Sequence, residues 1–272
     1  MLVDGGTGEP DTGRNAVAPY LWSQGIRGID YLVSTHSHPD HYGGLIYIMN
    51  NFRIGEIWLN GRTTDEPREF VSKMEEKKIP GRVLRRGDVF QTDRFRIYAL
   101  HPYDEFISDS SRGGFSNENS ASLVLKIESG GASILLTGDI ENEAEDSLLP
   151  LGKWLASDII KVPHHGGRTS SSPAFLKAVN PQIAVVSVGN NNIYHHPHKE
   201  VIERYERAGV KLYRTDLDGA VTIRCAGTDI KRDRGGFSES SYHIQTYRDS
   251  VFKEVKTFGD EVRNLKLLLV SG

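Results

Sequence analysis

The chain has 272 residues, of which 38% are hydrophobic and 25% are charged, and this composition is typical of a protein that folds around an apolar core. Its 33 basic and 36 acidic residues give a formal net charge of −3, which excludes a global positive field for nucleic acid or an anionic membrane surface. Cys225 is the single cysteine, so an internal disulfide framework and a thiolate zinc cluster are excluded.

Hydrophobic spacing predicts alternating strands and helices in the first part of the chain. In chain order these are strand 1–3, helix 15–25, strand 29–35, helix 42–52, strand 56–59 and helix 66–78. The middle is richer in strands, with predicted segments at 82–84, 95–100, 122–127 and 133–137 and a polar loop at 104–119. The apolar runs are far shorter than the roughly 18 to 20 residues of a bilayer span.

Helices and strands alternate again from residue 142. The predicted elements are helix 142–149, strand 158–162, helix 173–179, strand 182–187, helix 199–208 and strands 211–214 and 220–223. Two parts that each combine strands with outer helices predict an α/β protein, a sandwich of two sheets with helices on both outer faces. The last forty or so residues have weaker periodicity and are expected to add a strand and a helix.

Eight of the ten histidines fall in three short clusters. The first, residues 36–41 (HSHPDH), directly follows a predicted strand, and loops at strand ends commonly carry binding groups. Residues two apart in an extended chain point to the same side, so His36 and His38 can converge on one cation. Asp40 and His41, one step further on, can face a second cation close by.

Two later strand ends supply further ligands. Asp139 follows the predicted strand 133–137 and can bridge two cations or cap the following helix. The strand 158–162 leads into His164 and His165, one of which would complete the second metal site. His164 leaves the strand first and is the preferred ligand. Imidazole and carboxylate ligands together suit Zn²⁺ or Mn²⁺.

The order of these motifs, with Asp4-Gly5-Gly6 ahead of them, resembles the metallo-β-lactamase superfamily of binuclear metallohydrolases. The segments 163–172 (PHHGGRTSSS), 194–201 (YHHPHKEV) and 213–221 are similar to the C-terminal hydrolase domain of the ComEC family of DNA internalisation competence proteins. The resemblance covers roughly residues 1–228 and leaves 229–272 as a C-terminal extension of unknown role. The family has a strand before Asp-Gly-Gly that this chain lacks, so the domain is expected to be without its N-terminal strand.

The resemblance implies an αββα sandwich that holds two divalent ions, Zn²⁺ or Mn²⁺, at the sheet edge. The implied ligands are His36, His38, Asp40, His41, Asp139 and one of His164 and His165. Asp139 would bridge the ions, and Asp4 would support the metal loop. The family's further histidine has no clear counterpart here, so water or Asn119 would complete the first site, whereas His101 is interpreted as structural.

Residues around this site are predicted to handle the substrate. Asp40, Asp139, His196 and His198 are the predicted catalytic residues, and His196 and His198 are also expected to contact substrate. Arg168, Thr169 and Ser170 precede the helix at 173, where hydroxyls beside free helix N–H groups can bind a phosphate. These three residues and Asn119 are expected to contact substrate.

The favoured function is a metal-dependent phosphodiesterase or nuclease that acts on DNA, in single strands or at ends, during competence-related uptake. Hydrolysis of a small ester, lactone or lactam is the alternative enzyme function, and a metal-poor DNA-binding or scaffold domain is the alternative outside enzymes. The resemblance also implies a membrane channel domain as a partner. It would place the chain at the outer face of the inner membrane if it is part of a ComEC-like protein, and otherwise in the cytoplasm.

Overall fold

The first sheet is formed by four parallel strands that lie side by side in chain order. These strands are β1 (Leu2–Val3), β2 (Gly28–Val33), β3 (Arg53–Leu59) and β4 (Gly81–Val83). The connections between them carry helices α1 (Ala18–Ser23), α2 (Pro39–Asn51) and α3 (Arg68–Glu76). The computed structural model describes residues 1–62, 67–93, 95–111, 117–190, 192–225, 242–246 and 267–269.

The second sheet has seven strands, in the order β11-β10-β9-β8-β7-β6-β5. They are β5 (Val89–Gln91), β6 (Arg96–His101), β7 (Val124–Ser129), β8 (Ala132–Leu136), β9 (Ile159–Lys161), β10 (Ile183–Val186) and β11 (Lys211–Arg214). Neighbours are antiparallel from β5 to β8 and parallel from β8 to β11. The helices of this half are α4 (Asp104–Ser111), α5 (Asn142–Leu148), α6 (Pro173–Val179), α7 (Lys199–Arg207) and α8 (Thr215–Asp218).

Three apolar layers hold the sheets and helices together. Between the sheets, Trp58 of β3 lies in the same buried cluster as Leu125 of β7 and Val185 of β10. Outside the first sheet, Leu45 of α2 is buried with its neighbours, and outside the second sheet Phe175 of α6 is buried likewise. This arrangement of helices, two sheets and helices confirms the αββα sandwich.

One predicted loop contains a helix. Residues 104–119 were expected to be irregular because they are polar, but α4 occupies 104–111. Asp104 and Glu105 lie in its first turn, where carboxylates favour a helix N-terminus, and the Phe106 ring packs 4.5 Å from the His101 ring. The helix therefore forms because one apolar residue in a polar segment reaches the core.

Beyond residue 220 the structure shows a three-stranded antiparallel sheet. Its central strand β12 (Val221–Cys225) pairs with β13 (Tyr242–Thr246) and β14 (Leu267–Leu269). The C-terminal extension was expected to add a strand and a helix. Its described segments form two strands, β13 and β14, and its remaining residues lie outside the described part of the chain. Within the described residues, the helices are too short and too polar to cross a membrane.

Candidate metal centre

Three strand ends from the two sheets meet at one edge of the sandwich. The segment after β2 carries His36 and His41, and it is joined to the second sheet by a hydrogen bond from Leu123 N to Thr35 O of 2.9 Å. Asp139 follows β8, and the histidine pair follows β9, the neighbour of β8 in the sheet. Parallel strands place their carboxyl ends at the same edge, so this geometry gathers groups that are about 130 residues apart in sequence.

Four of these side chains form a tight cluster of possible metal ligands. The ligand atoms of Asp40, His41, Asp139 and His165 all lie within 4.8 Å of one another. The Asp139 Oδ2 atom lies 3.1 Å from His41 Nε2 and 3.2 Å from His165 Nε2, and the Asp40 Oδ2 atom lies 3.6 Å from His165 Nε2. Two imidazoles and two carboxylates around one point fit a divalent ion such as Zn²⁺.

The structure places His165 in this cluster, whereas His164 was the preferred ligand. His165 Nδ1 donates to the carbonyl of Ser187 at 2.6 Å, which leaves Nε2 free to face the carboxylates. His164 turns away, with Nδ1 3.1 Å from Glu141 Oε1. Both residues have positive φ, 49° and 52°, so the order in which they leave the strand does not set their direction, and His165 rather than His164 joins the cluster.

Asp4 holds the segment 35–41 in place through hydrogen bonds to Thr35 and His41, as the resemblance implied. Its carboxylate accepts hydrogen bonds from the backbone N–H and the hydroxyl of Thr35, both at 2.9 Å. It also accepts from His41 Nδ1 at 2.7 Å, which directs Nε2 of that ring toward Asp139. Burial lowers the pKa of His41, but Asp139 and Asp4 outweigh it and raise this pKa to about 10. A divalent cation would replace the proton that the carboxylates attract.

His36 presents an unused nitrogen beside this cluster. The residue is 1% exposed, its Nδ1 lies 3.2 Å from the Thr35 hydroxyl, and its buried Nε2 has no hydrogen-bond partner among the described residues. Burial, followed by the nearby His41, lowers the pKa of His36 well below its usual value. A neutral ring with a free buried lone pair fits a metal ligand, since leaving it unsatisfied costs free energy.

The other side of His36 is more open. The His38 ring lies 4.7 Å from the His36 ring, and His38 Nε2 lies 2.8 Å from Glu118 Oε2. Asn119, the expected completing group, donates its amide hydrogens to Glu141 and His164, at 3.4 and 3.3 Å, and its buried Oδ1 has no hydrogen-bond partner among the described residues. The carboxylate nearest to His38 therefore comes from Glu118. The contact between Glu118 and His38 was not predicted, because a lone glutamate in a polar segment resembles a solvated residue.

Lys161 is a second residue that the sequence reasoning missed. It is only 7% exposed, and its ammonium group donates to Gly138 O at 3.0 Å and to Asp139 Oδ1 at 3.2 Å. One oxygen of Asp139 is thereby engaged, while the other faces the imidazoles. A lysine inside an otherwise apolar strand, three residues before the histidine pair, was the available signal.

The rim of the centre is formed by the third histidine cluster. The His196 ring lies 5.4 Å from the His164 ring and 5.0 Å from the His198 ring, so the two predicted substrate residues continue the row of rings that starts at His164. Burial, followed by His164 and His165, lowers the pKa of His196 to about 4, and this ring is neutral at pH 7. Arg168 is largely exposed, 3.5 Å from Glu200.

The phosphate site expected at the start of α6 is not available. Glu145 accepts hydrogen bonds from the N–H groups of Ser171 and Ser172, so the chain's own carboxylate occupies the donors. Ser170 is buried, and its hydroxyl donates to the carbonyls of Pro163 and Gly167. Thr169 bonds to Glu141. Ser170 and Thr169 were therefore wrongly predicted as anion-binding groups, whereas Arg168 keeps an exposed charge.

Sequence comparisons agree with this geometry. The family model described as "Metallo-beta-lactamase superfamily" matches residues 1–190. The chain is 31% identical over 214 residues to ComE operon protein 3 of Bacillus subtilis, covering 78% of this chain and 26% of that protein. It is 33% identical over 239 residues to competence protein ComA of Neisseria gonorrhoeae, covering 86% and 30%. The chain thus spans less than a third of these relatives.

Among solved structures, the metallo-β-lactamase fold protein YhfI from Bacillus subtilis has 12% sequence identity and a TM-score of 0.47, covering 78% of this chain and 82% of that one. The family model alone matches well over half of the 272 residues. The chain belongs to the metallo-β-lactamase superfamily of metallohydrolases.

Proposed function

We propose that this chain is a metal-dependent phosphodiesterase that degrades DNA, as single strands or from ends, during competence-related uptake. The observation that carries the proposal is the cluster of Asp40, His41, Asp139 and His165, found in a chain whose curated relatives are competence proteins. When bound, divalent ions at such a cluster supply Lewis-acid activation of water and of a phosphoryl oxygen.

The proposed ligands form two adjacent groups, each of which would hold one ion. Asp40, His41 and His165 would hold one ion, and His36 and His38 would hold the other. Asp139, which points one oxygen at the imidazoles, would contact both. Zn²⁺ and Mn²⁺ are the candidates, because the imidazoles suit zinc and the carboxylates leave room for manganese.

The rim residues give the site its preference for a phosphodiester. Burial lowers the pKa of His196 to about 4, so the ring is neutral at pH 7 and can form a hydrogen bond to a water or hydroxyl group beside the cluster. The exposed Arg168 adds a local positive charge that can contact a neighbouring phosphate. With a net charge of −3, binding to DNA rests on such local contacts and is modest and salt-sensitive.

Two features of context belong to the same proposal. A membrane channel domain of the same uptake system is the proposed protein partner, because the chain spans only 26% of ComE operon protein 3 and 30% of competence protein ComA. In that arrangement the domain would work at the outer face of the inner membrane.

The metal content is tested first. The purified chain is stripped, reconstituted with Zn²⁺ or Mn²⁺ and submitted to elemental analysis, and two ions per chain are expected. Less than about one ion per chain after reconstitution with either metal would overturn the two-ion assignment and favour a metal-poor DNA-binding or scaffold domain.

The substrate is tested with a panel assayed against the metal-loaded chain. The panel contains linear duplex, circular duplex and single-stranded DNA, RNA, a cephalosporin and a lactone. We expect chelator-sensitive degradation of single-stranded or linear DNA that is reduced in His196→Ala. Turnover of the cephalosporin or the lactone, with every nucleic acid left intact, would overturn the nuclease proposal in favour of a small-molecule hydrolase.

A further inference from the structure

A groove opens beside the metal centre on the side of α2. Its volume is about 630 Å³, which is enough for a nucleoside, and Asp40 belongs both to its wall and to the metal cluster. Its walls also carry the side chains of Tyr42, Tyr47 and Tyr194. A group bound here would lie directly next to the reacting centre.

The groove is aromatic and acidic. Besides the three tyrosines, its lining includes the carboxylates of Glu9, Asp11, Asp40 and Glu69, and among the described residues that line it there is neither a lysine nor an arginine. Such a wall repels a phosphate and accepts the exocyclic amino groups of a base. Aromatic faces bind bases by stacking, largely independently of sequence.

Tyr194 links this groove to the rim of the metal centre. Its side chain is 66% exposed, and its ring lies 5.8 Å from the His196 ring at an interplanar angle of 29°. The His196 ring lies 5.0 Å from the His198 ring. His198 lies near Arg168, whose charge is the second cause, after burial of the ring, of the lowered pKa of His198. The aromatic ring of Tyr194 thus lies at one end of this row of side chains, and the positive charge of Arg168 lies at the other.

We propose that the groove is a nucleoside subsite, in which Tyr194 stacks on the terminal base of a DNA strand while the phosphates run toward Arg168. This inference rests on the proposed function and narrows it to strand ends. Because the carboxylates line the groove, the bound nucleoside carries a terminal hydroxyl rather than a terminal phosphate. Glu9 and Glu69 are both exposed at the groove and would act against that phosphate.

The first test measures kcat and KM on a short single-stranded oligonucleotide with the metal-loaded full chain. We expect Tyr194→Ala to lower kcat/KM about tenfold, chiefly through KM, which is the loss expected for one base–aromatic stack, and Tyr194→Phe to restore it. Trp154→Ala is the matched control, because Trp154 is 51% exposed and precedes β9 at the opposite end from the histidines. Elemental analysis should find unchanged metal content in all three variants.

The second test compares oligonucleotides that carry a hydroxyl or a phosphate at each end in turn. At one of the two ends we expect the hydroxyl form to be cleaved a few-fold faster, and the Glu9→Gln/Glu69→Gln double variant to lose this preference. Glu75→Gln, an exposed change on the same helix as Glu69, should keep it. Circular single strands should be cleaved more slowly than linear ones.

The outcomes separate the two proposals. Cleavage of DNA with a wild-type KM in Tyr194→Ala, or equal rates on circular and linear strands, would overturn the nucleoside subsite and leave the nuclease proposal standing. Binding of spermidine or a metal ion in the groove without any effect of Tyr194→Ala on DNA would identify a cation site instead. A metal-loaded chain that leaves all DNA intact would remove the proposed function, and the subsite with it.

Discussion

Two buried histidines, His41 in the metal centre and His101 at the end of β6, differ in the partners that surround their rings, and only His41 lies in a possible metal site. His101 is fully buried, and its Nε2 donates to the carbonyl of Ser120 at 2.8 Å. Burial lowers the pKa of His101 to about 3. His41 is equally enclosed, yet Asp139 and Asp4 raise its pKa to about 10 against the effect of burial.

The difference lies in the partners rather than in the depth of the two rings. A carbonyl accepts a hydrogen bond without carrying a charge and leaves the imidazole neutral, so His101 contributes packing and hydrogen bonds to Ser120 and Ser147. Two carboxylates create a position that favours positive charge, which either a proton or a divalent cation can supply. Substitutions of these partners test whether they cause the difference.

The largest effect is expected from Asp139, the carboxylate that faces both imidazoles. We expect Asp139→Ala to lower the rate of the proposed phosphodiester hydrolysis at least about 1,000-fold, since removing it takes away several kcal/mol of charge stabilisation, and to release the metal that the site binds. The measurements are steady-state hydrolysis of bis(p-nitrophenyl) phosphate and elemental analysis, with circular dichroism to follow the fold.

Asp158→Asn is the matched control for this change, because Asp158 bonds to Ser133 at the start of β9, away from the histidines. It should keep both the metal and the activity. Wild-type hydrolysis by Asp139→Ala would show that this carboxylate does not organise the metals.

Asp4 tests the support behind His41. We expect Asp4→Ala to weaken metal binding about 10- to 100-fold, the usual cost of removing a carboxylate that orients a histidine ligand. Competition with a chromogenic chelator measures the affinity. Asp30→Ala, an exposed change on β2, should bind metal like the wild type, and an equal affinity in Asp4→Ala would mean that His41 is oriented by other contacts.

The lowered pKa of His101 should make the free energy of unfolding, rather than the activity, depend on pH. Its pKa is near 6.5 when unfolded and about 3 when folded, so below pH 6.5 the unfolded chain binds a proton that the folded chain does not. Stability contributed by the neutral ring is present above pH 6.5 and falls by up to about 1.4 kcal/mol per pH unit as the pH decreases toward 3.

His101→Gln removes that titration while keeping an amide that can donate to Ser120. Urea denaturation between pH 7 and pH 4 should show a shallower loss of unfolding free energy in this variant than in the wild type. His243→Gln, on the exposed side of β13, should follow the wild-type slope. Parallel curves for wild type and His101→Gln would contradict the assignment.

The smallest effect is expected from Arg168 at the rim. Its charge is largely exposed, so Arg168→Ala should weaken binding of single-stranded DNA only a few-fold and reduce the salt dependence by about one phosphate contact. Fluorescence anisotropy over a salt series measures both. Arg207→Ala, on the exposed side of α7 beside Glu203, is the control, and an unchanged salt slope in Arg168→Ala would exclude the phosphate contact.

Much of the fold and the chemistry of the site could be predicted from the sequence. Helix 173–179 and strand 211–214 were predicted with the bounds that the structure shows, because apolar periodicity and a preceding serine or a glycine turn mark them clearly. Histidines at strand ends pointed to the edge where the four-residue cluster lies. These features depend on local spacing, which a sequence displays directly.

The remaining features depend on contacts between distant segments. The choice between His164 and His165 is decided by the carbonyl of Ser187 and by positive φ angles, neither of which spacing reveals. Glu145 filled the donors at the start of α6 from a helix about 26 residues earlier. Long-range partners of this kind are visible only once the sheets are assembled.

The ammonium of Lys161 gives the centre an internal counter-ion. It already compensates Asp139 at 3.2 Å, so the buried carboxylate does not depend on a bound cation to offset its charge. Loss of a bound metal ion would therefore not have to unfold the edge of the sandwich, and one divalent metal could be exchanged for another in a folded chain. The availability of metals around the protein, rather than its folding, would then decide which one it carries.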